Sequence, residues 1–376
     1  MKKIVIVFMI TGMILLSACN LINTRSREVY NEENIADKIQ QHITNKNIQN
    51  DKLKDLVENQ SETKDIEKDK SSGKDVKRQE NDLLSEMRYT TLYYQDKDGL
   101  LIPITRKTAK IEGIAKAAIA SLIDVSIMRE DIGRIGLFPV LPGGTSVRGM
   151  TIKNGVATID FNDSLFDYDT AQNEKNILLS IVYTLTEFDT IDSVQIIRNG
   201  EQLDSLKFGS SVKNPLRRQS INYLSGDMKD MDINKEQIEV YFTKLVNNKY
   251  LYYVPVTKFI NRPFNDLDKY TQTLKELIKG DEVGNKDLKS YIPKTSGLKG
   301  IKIEGQTVIL DFNDEILKAT GSDTSFNVML NQILLCFKQF GKVKKIKINV
   351  DGKPLEFPAE YEGKEALDVP EYANLF

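Results

Sequence analysis

A chain of 376 residues has room for two or three domains at the usual ~100–200 residues each, and a hydrophobic content of 40% is enough to build cores. Its 52 basic and 54 acidic residues nearly cancel, to a formal charge of −2, so no global positive field argues for nucleic acid.

The chain starts Met1-Lys2-Lys3, stays apolar over residues 4–16 and then reads Ser17-Ala18-Cys19. A basic start followed by about a dozen apolar residues is a secretory signal, too short for a comfortable membrane span. Leu16-Ser17-Ala18-Cys19 resembles the bacterial lipobox, and the resemblance implies a signal peptide over residues 1–18 with a diacylated Cys19 after cleavage. Two acyl chains suffice for stable anchoring, so the expected location is extracytoplasmic, on the outer face of a bacterial membrane. The other cysteine, Cys336, sits in the apolar run Ile333-Leu334-Leu335-Cys336-Phe337 and is expected to be a buried small hydrophobe. With Cys19 acylated, no intrachain disulfide remains.

Residues 19–88 are charged and poor in aromatics, and residues 51–82 alternate basic with acidic side chains. Such a stretch buries too little surface to offset its ordering entropy, which predicts a disordered tether. As a flexible coil, about 65 residues span roughly 45 Å r.m.s.. The single histidine, His42, falls there.

Beyond Tyr89 the pattern occurs twice. Ile102-Pro103-Ile104-Thr105 matches Val254-Pro255-Val256-Thr257, and Arg148-Gly149 matches Lys299-Gly300. Ile159-Asp160-Phe161-Asn162-Asp163 matches Leu310-Asp311-Phe312-Asn313-Asp314 at an offset of 151 (160 to 311), and Asn199-Gly200 matches Asp351-Gly352 at 152 (200 to 352). Order and spacing both hold over more than a hundred residues, which marks a domain duplication.

Each unit reads β-β-α-β-β-α-β. In the first, residues 91–94 and 100–106 flank the hairpin signal Asp98-Gly99, and Ile111, Ile114, Ala115, Ala118, Ile119 and Leu122 recur at helical spacing. Strands over 147–152 and 156–161 meet at Asn154-Gly155, the strongest short hairpin signal. A helix carrying Ile177, Ile181, Leu185 and Phe188 follows, then a strand over 194–197. The fold class is therefore α+β: two tandem copies of a small domain with a mixed or antiparallel sheet and both helices on one face. The expected domains are 89–206 and 236–357, joined by a polar linker over 207–235 and followed by a tail over 358–376 that packs on the second domain or frays.

The run Pro142, Arg148-Gly149, Asn154-Gly155, Asp160-Phe161 and Ile181-Val182-Tyr183-Thr184-Leu185-Thr186-Glu187-Phe188 resembles the GerMN domain family. The resemblance covers residues 89–357 and is closer in the first copy. The second carries Leu335-Cys336-Phe337-Lys338-Gln339-Phe340 where the first has Tyr183 to Phe188. It implies a sporulation and germination lipoprotein, outside the cytoplasm, beside an assembly of the SpoIIIA–SpoIIQ type that bridges mother cell and forespore.

Chemistry is sparse. The repeated region holds one cysteine and no histidine, which excludes histidine-based triads and the usual tetrahedral zinc centres; no cofactor or metal is expected. Asp160, Asp163, Asp311 and Asp314 are the repeated carboxylates. Paired acids serve acid–base work or hard cations, whereas Asp and Asn at strand ends more commonly cap turns, and turn chemistry is the preferred reading. The function expected is non-enzymatic structural assembly. The alternatives are a cell-wall glycan or peptide binding module, which needs a groove lined by exposed tyrosines, and a carboxylate-dependent glycan hydrolase, which needs an enclosed acid pair.

Overall fold

The structure is a computed structural model that describes residues 87–109, 113–223, 234–280, 287–357, 361 and 363–376. The signal peptide, Cys19 and all but the last two residues of the expected tether lie outside the described residues. Among the described residues, no helix is long and apolar enough to cross a membrane.

The first repeat opens with strands β1 (Met87–Gln95) and β2 (Leu101–Ala109), paired antiparallel from Met87↔Ala109 to Gln95↔Leu101. Their turn closes because Asp96 Oδ1 accepts the backbone N–H groups of Asp98 and Leu100, both at 2.9 Å, while Gly99 takes φ +79°. Helices α1 (Ile114–Ala120) and α2 (Ser126–Gly133) follow. Strands β3 (Val147–Lys153) and β4 (Val156–Phe161) form a hairpin whose turn needs two left-handed residues, met by Asn154 at φ 51° and Gly155 at φ 75°. A 3₁₀ turn over Asp163–Phe166 leads to α3 (Ala171–Leu185), capped where the Thr170 side chain accepts from Asn173 N, then to β5 (Ser193–Arg198) and β6 (Glu201–Gln202). These strands form one sheet in the order β3-β4-β5-β6, with β4 and β5 parallel and the outer pairs antiparallel.

The second repeat copies this plan. Strands β7 (Lys235–Val246) and β8 (Tyr250–Asn261) make a longer hairpin, and α4 (Asp266–Lys279) starts at an Asn265 cap. Then come β9 (Leu298–Glu304), β10 (Thr307–Phe312), a 3₁₀ segment over Asp314–Gly321, α5 (Asp323–Phe337), β11 (Lys345–Val350), β12 (Lys353–Pro354) and β13 (Leu367–Asp368). The order is β12-β11-β10-β9, with β13 also on β11.

The duplication holds at single-residue level. β4 and β10 alternate half-buried and buried side chains in the same phase, so Phe161 and Phe312 both end fully buried. The register shifts at Arg148 in β3 and at Lys299 in β9, one bulged cation in each copy.

Two features depart from the expected unit. Helix α2 is additional; only its Ile132 is buried, and Ile127 is 71% exposed, so it leaves no apolar periodicity to read. The strands also split into a hairpin and a separate mixed sheet. The outer edge of β1 pairs with a helix instead of a strand: Ser180 Oγ donates to Tyr93 O at 2.6 Å, and Tyr93 N donates to Thr184 Oγ1 at 3.1 Å. In the second repeat Gln332 Nε2 donates to Tyr241 O at 3.1 Å and Tyr241 N donates to Cys336 Sγ at 3.3 Å. Cys336 is buried as expected, and its sulfur also accepts where Thr184 Oγ1 accepts in the first copy.

Phe161→Ala and Phe312→Ala should each cost about 3–5 kcal/mol in chemical denaturation, because each leaves a ring-sized cavity. A cost under about 1 kcal/mol at either position would contradict their equivalent packing.

Candidate functional site: repeated turns and the seam between the repeats

The repeated carboxylates sit at the end of each mixed sheet. Asp160 Oδ1 accepts Gly200 N, and Asp311 Oδ1 accepts Gly352 N, both at 2.9 Å. Asn162 Oδ1 accepts Ser146 N and Asn313 Oδ1 accepts Gly297 N, at 2.9 and 2.8 Å. Each copy thus ties the end of its central strand to the next turn through the same side chains. Asp163 accepts from Arg198 Nε at 2.6 Å and from Asn199 Nδ2 at 3.0 Å, and those bonds hold its carboxyl below the usual range. Asp314 opens the 3₁₀ segment at the matching place. The bulged cations explain the Arg148 and Lys299 motif: Arg148 Nη1 donates to Asn199 Oδ1 at 2.8 Å, and Lys299 pairs with Asp351. Among the described residues, no three metal-binding side chains converge.

A second constellation, missed from sequence, lies in the seam where β2 faces β8. The outward positions of β2 are Leu101, Pro103 and Thr105; those of β8 are Tyr253, Pro255 and Thr257. A proline in the middle of each row removes the N–H that a direct ladder would use. Two asparagines fill the gap. Asn222 Oδ1 accepts Leu101 N at 2.7 Å, and its Nδ2 donates to Leu101 O at 2.7 Å and Pro255 O at 2.8 Å. Asn374 Oδ1 accepts Tyr253 N at 2.9 Å, and its Nδ2 donates to Tyr253 O and Pro103 O, both at 2.8 Å. Exchanging the repeats exchanges the two sets of bonds.

The segments carrying these asparagines are therefore repeat elements in their own right. Leu216, in the expected linker, bridges antiparallel to Val194 of β5, and Leu367, in the expected tail, pairs antiparallel with Ile346 of β11. Each segment then crosses to the other repeat's hairpin. Thr257 N donates to Ile221 O at 3.0 Å, and Thr105 N donates to Asn374 O at 2.7 Å. The tail thus reaches the first repeat as well as the second. The signal was present in the sequence: Asn222 and Asn374 share the offset of 152 (222 to 374), in stretches with no other likeness strong enough to flag.

Charge reinforces the seam. Lys244 of β7 is buried, with Nζ 2.6 Å from both Asp96 Oδ2 and Asp98 Oδ2 in the β1–β2 turn. Burial alone would lower the Lys244 pKa, and the two carboxylates raise it instead. Gly136 admits the opposite hairpin: a Cβ there would lie 2.6 Å from Val246 Cγ1 and Asn247 Nδ2.

Further along the seam an open cleft of about 350 Å³ is lined by Tyr183, Arg218, Gln219, Gln237, Glu239 and Lys338, among others. Arg218 Nη2 donates to Glu187 Oε1 at 2.6 Å, Tyr93 OH donates to the same oxygen at 3.0 Å, and Lys338 Nζ lies 3.5 Å from Glu187 Oε2. Burial pushes the Glu187 carboxyl up, but the charges of Lys338 and Arg218 overcome it and leave the pKa lowered. Across the cleft Glu239 Oε1 lies 3.0 Å from Tyr183 OH; burial dominates there and raises its pKa despite Arg218. The two acids are pulled in opposite directions by one cluster. Burial pushes the Cys336 thiol up to about 12, away from the thiolate a nucleophile needs.

A family model described as "Germane: Sporulation and spore germination" matches residues 91–204 and again residues 239–356. The chain belongs to this Germane family, and its place is in sporulation. It is 30% identical over 266 residues to the spore germination protein GerM of Bacillus subtilis strain 168, covering 70% of this chain and 71% of that protein. The solved tandem GerMN domains of the sporulation protein GerM from Bacillus subtilis superpose with a TM-score of 0.65 at 29% identity, covering 77% of this chain and 99% of that one.

Lys244→Met should destabilise the protein by roughly 3–5 kcal/mol, because it strands Asp96 in a buried site; thermal or urea melts measure this. Glu187 has a lowered folded pKa, so its contribution is full above the unfolded value near ~4.3 and is lost as pH falls through the folded value. Glu239 has a raised folded pKa, so its contribution declines as pH climbs from about 4.3 through the folded value. Glu187→Gln should therefore lower stability at pH 7 and flatten the acid limb of a stability–pH curve. Glu239→Gln should leave stability at pH 7 equal or higher; matching losses for both would contradict the opposed shifts.

Proposed function

We propose that the protein is a non-enzymatic, lipid-anchored structural component of endospore formation and germination. In this reading diacylated Cys19 holds it on the outer face of a bacterial membrane, in the space between mother cell and forespore. Its partners are envelope proteins of the SpoIIIA–SpoIIQ type. The observation that carries the reading is a pair of open strand edges. The outer edges of β1 and β7 are met by helix side chains, those of β2 and β8 by the asparagine segments, and β5 and β11 carry the short strands β6 and β12. Among the described residues, no backbone hydrogen bond reaches the outer edge of β3 or β9. Equivalent isoleucines near those edges, Ile152 and Ile303, are 45% and 41% exposed. Exposed edge strands with apolar side chains are templates for pairing with another protein.

The alternatives find less support. Tyr183 and Tyr241 in the seam cleft are buried, so they offer no open aromatic platform to a sugar. Glu187 is tied to two cations, and Asp160 and Asp311 to turn N–H groups, which leaves these carboxylates poorly placed for glycan hydrolysis.

The experiment replaces Ile152 and Ile303 together with Glu. Both side chains are exposed, so the melting temperature should move by only a few degrees. Spore yield or germination should fall, together with recovery of envelope partners from membranes of sporulating cells. Normal spores from a folded double variant would refute the edge reading. Cys19→Ala should move the protein out of the membrane fraction, and unchanged fractionation would overturn the anchor.

A further inference from the structure

The seam contains a groove that residues 374–376 of the same chain occupy. Residues 374–376 lie against β2 through one parallel bridge. Leu375 bridges parallel to Thr105, Thr105 N donates to Asn374 O at 2.7 Å, and Phe376 N donates to Thr105 O at 2.8 Å. Side chains alternate as they do in strand addition: Asn374 is buried, Leu375 is 57% exposed, and Phe376 turns back in to face Tyr252 with ring centroids 5.6 Å apart. The Tyr372 ring lies tilted against Tyr89, with centroids 5.1 Å apart. Main-chain bonds supply the grip, and the asparagine supplies the reading. Its carboxamide donates to two carbonyls and accepts one N–H at once, a combination that neither Asp nor Leu can provide.

We propose that the groove bounded by Pro103, Thr105, Tyr252 and Tyr253 is an acceptor site for an extended Tyr-Ala-Asn-Leu-Phe segment, and that it takes this segment from a second copy of the chain when its own is displaced. Neighbouring molecules then exchange arms. The occupant is set by what already sits in the groove, because every copy carries the same five residues. The arm is held by a few hydrogen bonds and two ring contacts, and it joins the second repeat through Leu367–Asp368 on β11. A short tether gives the internal arm an effective concentration of about a millimolar, so exchange belongs to places where many copies are gathered. Reciprocal exchange closes on two chains and does not propagate into a fibre. This inference goes beyond the assembly role proposed above and does not depend on the edges of β3 and β9.

The test uses the full chain and a fluorescent peptide, Glu-Tyr-Ala-Asn-Leu-Phe. Asn374→Asp in the chain loosens the internal arm without altering a residue of the groove, whose walls stay joined through Asn222 and Lys244. The variant should bind the peptide about tenfold or more tighter than the unaltered chain by fluorescence polarisation, and a peptide with Asp in place of Asn should bind neither. Phe376→Pro gives an independent arm-release variant, since it removes the N–H donated to Thr105 and the ring on Tyr252, and the same rise is expected. In a second measurement, two separately labelled batches of the unaltered chain are mixed at high concentration and should develop energy transfer that the Asn374→Asp batches lack. Equal peptide binding to altered and unaltered chains, or no binding to either variant while circular dichroism reports it folded, overturns the proposal. Equal binding of the Asp peptide does so as well.

Discussion

A strand edge cannot be left dry and unpaired, and this single constraint organises the whole molecule. Each repeat builds a hairpin that stands apart from its mixed sheet, so four hairpin edges need partners. Two are satisfied locally, by side chains one helical turn apart on α3 and α5. The other two face each other across the seam, where Pro103 and Pro255 forbid a continuous ladder. The carboxamides of Asn222 and Asn374 mimic the peptide group that a strand would have supplied. The two repeats are thereby fastened by hydrogen bonds that neither completes alone, with the Lys244–Asp96 ion pair buried beside them.

The parts of this arrangement that the sequence disclosed are those written in periodicity. Alternation around Phe161 and Phe312 marked the central strands, Asn154-Gly155 marked a turn, and the spacing of Ile177, Ile181 and Leu185 marked a buried helix face. The Asp160 and Asp311 blocks stood out because they recur, but their bonds to Gly200 and Gly352 reach 40 and 41 residues along the chain, so the sequence named the side chains and not their partners. The seam was hidden for the opposite reason. Residues 207–223 and 363–376 carry little regular structure, and their contacts depend on positions more than a hundred residues away: Asn222 on Leu101, Asn374 on Pro103. A polar residue in an aperiodic stretch looks like linker until its partners are known. Helix α2 was missed because it turns one apolar residue inward.

The helix contact of β7 shows how a copy drifts without losing its fold. Ser180 and Thr184 stand where the second copy has Gln332 and Cys336, which differ in size, polarity and reach together. What persisted was one donor for a carbonyl and one acceptor for an amide. The contact asks for hydrogen-bonding capacity rather than a particular residue, so the two helices look dissimilar in sequence and match in role. The charged cleft diverged further. Glu187 and Gln339 occupy matching places, yet only the acid gathers Arg218 and Lys338 around it.

The bulges at Arg148 and Lys299 carry a consequence for geometry. Each deforms its strand at the root and plants a positive charge there, so an incoming strand finds regular pairing only along the outer half, toward Ile152 or Ile303. Among the described residues the molecule therefore has two short edges of matching design, carried by the fastened repeats. Under the assembly role proposed above, a body with two such edges would act as a spacer, setting how far apart its neighbours stand.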